Sequence, residues 1–212
     1  MRVSSQPMSK EQPPTPQPRG PAEHDVRTQI VEAAMQHFSR YGYEKTTVAE
    51  LADAVGFSKA YIYKFFESKQ AIGEAICRGR LRMIMEAVDQ AAAQSTSASD
   101  KLRRVFRAFM EAGSHLFFQE RRLYEIAAAA AGTPWPSVRA HEERVQQLLV
   151  QILKEGRDSG EFERKTPLDE AAKAIYLVLR PYVNPLQLQY NLDDIDEAAT
   201  QLCGLILRSL AP

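Results

Sequence analysis

From Asp25 to the C-terminus, apolar residues return every three or four positions, the spacing that lines one face of an α-helix, and strict alternation of the strand kind is nearly absent. The first such stripe is Ile30, Ala33, Ala34, Phe38 and Tyr41, predicting a helix over about Asp25–Tyr41 that stops at Gly42. Thr47 and Glu50 then form a capping-box pattern that opens a short helix ending near Val55, with Gly56 as its turn. Ser58 caps a third helix, and Ser68 a fourth running from Lys69 to about Ala93. Helix, tight glycine turn and helix together have helix-turn-helix spacing.

The later segments keep the same period. Asp100 is expected to cap a helix with Leu102, Val105, Phe106, Phe109, Met110 and Phe117 on one face, after a Ser/Thr-rich loop over Gln94–Ser99. A helix is expected over about Glu120–Ala131, and the two prolines within residues 132–137 interrupt it. Val145, Leu148, Leu149, Ile152 and Leu153 mark another, ending between Gly156 and Gly160. Thr166 as cap, Pro167 at the first position and Asp169 in the first turn start the next, which Pro181 and Pro185 are expected to end. Asp193 or Asp194 begins the last, with Ile195, Ala199, Leu202, Ile206 and Leu210. About nine helices and an all-α fold follow.

Composition adds a boundary at the front. Pro7, Pro13, Pro14, Pro16, Pro18 and Pro21 punctuate a stretch too polar to bury a core, so residues 1–23 read as a disordered arm, 24–70 as the helix-turn-helix unit and 71–212 as a larger second unit. Charge adds little. The 27 basic and 27 acidic residues balance, so any attraction to phosphate must be local. No apolar run is long enough to span a bilayer, no secretory leader pattern opens the chain, and Cys77 and Cys203 have no metal or disulfide spacing. A cytoplasmic protein without cofactor or metal is expected. Catalytic motifs are missing too: there is no H-E-x-x-H, no G-x-S-x-G and no phosphate-cradling glycine loop, which argues against an enzyme.

A recognition helix in a major groove meets phosphates with its first N–H groups and flanking hydroxyls and reads base edges from its exposed face. Ser58, Lys59, Ala60, Tyr61 and Tyr63 occupy those positions, while Thr47 and Lys69 flank them at neighbouring helix starts. Phe57, Ile62, Phe65 and Phe66 have the spacing of a core instead. Arg78, Arg80 and Arg82 extend the basic residues beyond this unit, although arginines on an exposed helix are ordinarily a solvated face.

Arg27 with Ile30, Phe38 with Gly42, Thr46-Thr47, Gly56-Phe57-Ser58, Ile62-Tyr63, Phe65-Phe66 and Lys69 stand in the order found in the tetracycline-repressor (TetR) family of bacterial transcriptional regulators, which this stretch resembles. The resemblance implies a DNA-binding head containing Thr46 and Lys64 as well as the residues above, with Tyr63 similar to the family's phosphate-contacting tyrosine. Lys64 departs from the pattern, standing where many relatives carry His or Tyr.

It further implies a homodimer on a pseudo-palindromic double-stranded operator, since one helix-turn-helix reads few base pairs and two must sit about 34–36 Å apart. The dimer contact is expected on the last two helices through Ala171, Ile175, Val178, Leu202, Leu205 and Ile206. The middle helices, with Phe106, Phe109, Met110, His115, Phe117, Tyr124, Trp135 and Tyr176, are expected to surround a small, apolar or aromatic effector whose binding shifts the dimer away from its DNA-competent state. Coupling is expected through the helix beginning at Lys69. A DNA-binding protein of this fold that senses nothing is the rival, and a fully packed middle bundle would favour it.

Overall fold

A computed structural model describes residues 23–133, 135–193 and 195–212 of the 212. The expected arm lies almost wholly outside the described residues, as do Pro134 and Asp194. Ten helices and no strand occur among the described residues, as the helical periodicity requires. They are α1 (Glu23–Tyr41), α2 (Val48–Val55), α3 (Lys59–Ile62), α4 (Lys69–Ala93), α5 (Ala98–Gln119), α6 (Arg121–Gly132), α7 (Pro136–Asp158), α8 (Leu168–Val183), α9 (Pro185–Leu188) and α10 (Ile195–Ser209).

The early caps form as local chemistry dictates. Thr47 closes a capping box with Glu50, Ser58 Oγ accepts from Tyr61 N at 3.1 Å, and Ser68 Oγ accepts from Ala71 N at 3.0 Å. Gly56 ends α2 at φ 73°, a left-handed conformation that a side chain would strain.

Four expectations need correction. The cap of α5 is Ser97, whose Oγ accepts from Asp100 N at 3.1 Å. The Glu161 carboxylate, brought from the end of α7, closes the same helix start by accepting from Ala98 N and Ser99 N at 3.0 Å each. These backbone bonds hold the Glu161 carboxyl far below its ordinary range, at about 2. The chain leaves helix after Gly132, as expected, and Pro136 opens α7, because at the first position its missing N–H has no partner to lose. The α8 helix starts at Leu168 with Pro167 just outside it, and runs through Pro181 to Val183. There the ring removes one hydrogen bond close to the helix end, where several carbonyls lack an intrahelical donor in any case. A separate turn, α9, brings the count to ten.

Two cores divide the buried apolar side chains. One joins α1, α2 and α3 to the first turns of α4 through Ile30, Phe38, Leu51, Ile62, Phe66, Ile72 and Ile76. The other lies among α5, α7, α8, α10 and the far half of α4, around Leu102, Phe106, Leu149, Ile152 and Leu179. Helix α6 belongs to both: Leu123, Ile126 and Ala130 enter the first core, and Tyr124 the second.

Candidate DNA-recognition surface and effector cavity

The α2–Gly56–α3 segment is held from behind. Arg27 on α1 donates to the Phe65 carbonyl at 2.7 Å while its guanidinium lies 4.2 Å from the centre of the Phe66 ring. This pins the segment that follows α3 to the first helix, a role the spacing alone did not assign to Arg27. Its partners only meet after folding. Forward of that anchor, Ser58, Lys59, Ala60, Tyr63 and Lys64 are exposed, with no acidic residue between Gly56 and Phe66.

Four residues expected at this surface sit differently. Thr46 is buried and its hydroxyl donates to the Gly42 carbonyl at 2.8 Å, so it fastens the α1–α2 turn. Thr47 is exposed, but its hydroxyl donates to Glu50 Oε2 at 2.9 Å and accepts Glu50 N, leaving no free donor while the box is closed. Tyr61 is half-buried, edge-on between Phe57 and Phe65 with ring centres 5.0 and 5.3 Å away, and forms one wall of a groove against α1. Lys69 is half-buried and donates to the carbonyls of Tyr43 and Glu44 at 3.1 and 3.3 Å, its ammonium 4.6 Å from the Tyr43 ring centre. Two of its three donors therefore tie the start of α4 to the turn before α2.

Between the two cores lies a cavity of about 90 Å³, walled by α4, α5, α6, α7, α8 and α9. Phe109, Tyr124 and Tyr176 line it, as do Cys77, Leu81, Leu116, Ala127, His141, Glu142 and Pro185. Tyr176 donates to Glu142 Oε1 at 3.0 Å, and the Tyr124 hydroxyl donates to the Pro185 carbonyl. His141 Nδ1 is buried without a hydrogen-bond partner among the described residues, and burial pushes the imidazole down to about 4, keeping it neutral.

The other expected effector residues lie elsewhere. Phe106 is fully buried in the second core; Met110 and His115 face α10, flanking a separate polar cleft. Phe117 stacks edge-on against Phe118 and Tyr124 beneath the Arg121 guanidinium. Trp135 enters the head core, its ring centre 6.0 Å from that of Tyr43 and its edge against Gly73. Their apolar character was legible, but helical spacing cannot separate core from cavity lining. His141 was legible as a histidine of the middle helices, whereas Glu142 carried no signal beyond being polar on an otherwise apolar helix face.

Of the expected dimer residues, Ala171, Ile175 and Ile206 are buried in the chain's own second core. Val178 and Leu202 are half-buried, and Leu205 is 59% exposed. Leu177, 52% exposed, adds a large apolar side chain to the outer face of α8. Helical spacing does not separate the inner stripes of these helices from the outer ones, because both are apolar.

Comparison with known proteins agrees with this architecture. The model of bacterial regulatory proteins of the tetR family matches residues 30–76, and that of the tetracyclin repressor-like C-terminal domain matches residues 98–203. The chain is 27% identical over 144 residues to the HTH-type transcriptional repressor KstR2 of Mycolicibacterium smegmatis, covering 68% of this chain and 70% of that one. Among solved structures, the fatty acid degradation regulator FadR from Bacillus halodurans superposes with a TM-score of 0.65 at 17% identity, over 90% of this chain and 97% of that chain. The ketosteroid transcriptional regulator KstR2 of Mycobacterium tuberculosis superposes at 0.54 and 19% identity, over 88% and 95%. No helix among the described residues is long and apolar enough to cross a membrane.

Proposed function

The chain belongs to the tetR family of bacterial regulatory proteins, and from that premise we propose that it is a transcriptional repressor that binds a pseudo-palindromic DNA operator as a homodimer and is released by a small lipophilic effector. The observation that carries this reading is the two-sided placement of α6. Leu123, Ile126 and Ala130 pack in the core of the DNA head, while Tyr124, Ala127 and Ala131 of the same helix face the cavity. A ligand that repositions α6 moves the head with it, because a packed core transmits displacement. In this reading the coupling runs through α6 as well as through α4.

A cavity with an apolar wall also favours this reading over a DNA-binding protein that senses nothing. That similar proteins are described as a ketosteroid transcriptional regulator and a fatty acid degradation regulator supports a lipophilic effector. In this reading Ser58, Lys59, Ala60, Tyr63 and Lys64 meet the duplex.

The test is selection of bound sequences from random DNA, followed by a screen for compounds that release the selected site. A palindrome-like consensus and at least one releasing compound are expected; failure to enrich any sequence at low salt would remove the reading. On the selected site, Lys59→Ala should weaken binding and flatten the dependence of log K on log salt by about one unit.

A further inference from the structure

The cavity interior has no lysine or arginine among its lining residues, and it contains one carboxylate, that of Glu142. An anionic group carried inside would lose its hydration and meet a like charge, so it would have to stay outside. Just outside, between α4 and α7, runs a surface groove edged by Arg78, Arg82 and Arg144 over an apolar floor that includes Met85. Groove and cavity share two side chains, Leu81 and His141, which stand as the partition between them.

The arginines are accessible, with side chains 66%, 76% and 46% exposed. Each faces an acid, but none is consumed by it. The Glu74 carboxylate, 3.3 Å from Arg78, already accepts from Ser137 N and Oγ at 2.8 and 2.9 Å. Glu86 stands 3.7 Å from Arg82, and Asp89 takes one nitrogen of Arg144 at 3.2 Å. A guanidinium has five N–H donors, so most remain for a ligand.

We propose that the α4–α7 groove is the mouth of the cavity, that its arginines hold the anionic head of an amphiphile, and that the apolar body of that amphiphile passes Leu81 and His141 into the interior. This rests on the reading of the cavity as an effector site. It restricts the ligand to acids or phosphates with a hydrophobic tail.

Isothermal titration of the full chain with laurate, lauryl phosphate and lauryl alcohol, each below its aggregation threshold, tests it. The two anions should bind about tenfold more tightly than the alcohol, the advantage of a charge-assisted contact. The double substitution Arg82→Gln with Arg144→Gln should erase that advantage and leave the alcohol unchanged, whereas Arg82→Lys with Arg144→Lys should retain most of it. Leu81→Trp should abolish binding of all three. Equal binding of acid and alcohol, no binding of any probe, or an advantage that survives the glutamine pair would overturn the proposal. DNA affinity measured on the same samples separates the two ideas. Arginine-dependent binding that leaves DNA held would sink the effector reading and keep the groove, and DNA release indifferent to the arginines would do the reverse.

Discussion

At the scale of single residues, His141 carries the sharpest consequence. Its imidazole is buried and pushed down to about 4, against an ordinary value of 6.5. The unfolded chain therefore binds a proton between those two values that the folded chain refuses, so stability falls as pH drops from about 6.5 towards 4. Replacing it by phenylalanine should flatten this part of the curve in urea titrations run across that range. An unaltered slope would show that His141 is solvated in the native state. Glu161 acts in a separate window: its carboxyl, lowered from 4.5 to about 2, contributes stability above pH 4.5 that is lost as pH falls towards 2. Caps such as Thr47, Ser58 and Ser68 were readable because donor and acceptor lie three residues apart. Arg27 with Phe65 and Glu161 with Ala98 were not, since 38 and 63 positions separate them.

At the scale of elements, the junction between α6 and α7 deserves comparison with the start of α4. Trp135 drops into the head core against Gly73, and Glu74 on the next position caps α7 through Ser137. The α6–α7 junction and the head are thus clasped over two adjacent residues of α4. A Cβ at Gly73 would stand 2.9 Å from Trp135 Cη2 and 3.0 Å from Tyr43 Cε2, two rings held by the surrounding core. Gly73→Ala should therefore destabilise by about 1–3 kcal/mol despite the better helix propensity of alanine. Thermal melting followed by the fluorescence of Trp135, the single tryptophan, measures it. An unchanged or raised melting temperature would mean that the clasp yields freely. The Trp135 and Tyr43 contacts explain why a glycine stands inside this helix, which no local pattern indicated.

For the whole molecule, the outer faces of α8 and α10 carry Leu177 and Leu205 into solvent while the inner faces fill the second core. Two exposed leucines on adjacent helices are a small patch by themselves, and the proposed dimer covers them. Leu177→Glu combined with Leu205→Glu should give a folded monomer in analytical ultracentrifugation, with helical content retained and operator affinity lost by two orders of magnitude or about that. A variant that stays dimeric would move the interface elsewhere.

Helix content, most helix boundaries, the glycine turn before α3 and the DNA-head pattern were determined by the chain alone, because periodicity, caps and breakers act over three or four neighbours. Tertiary structure decided which side of each apolar stripe meets core, cavity or solvent. It turned Thr46 inward, put Trp135 in the head and left Phe109, Tyr124 and Tyr176 beside a void with His141 and Glu142. Both outcomes have one cause: hydrophobicity is a property of the side chain, whereas emptiness is a property of the space that distant helices enclose together.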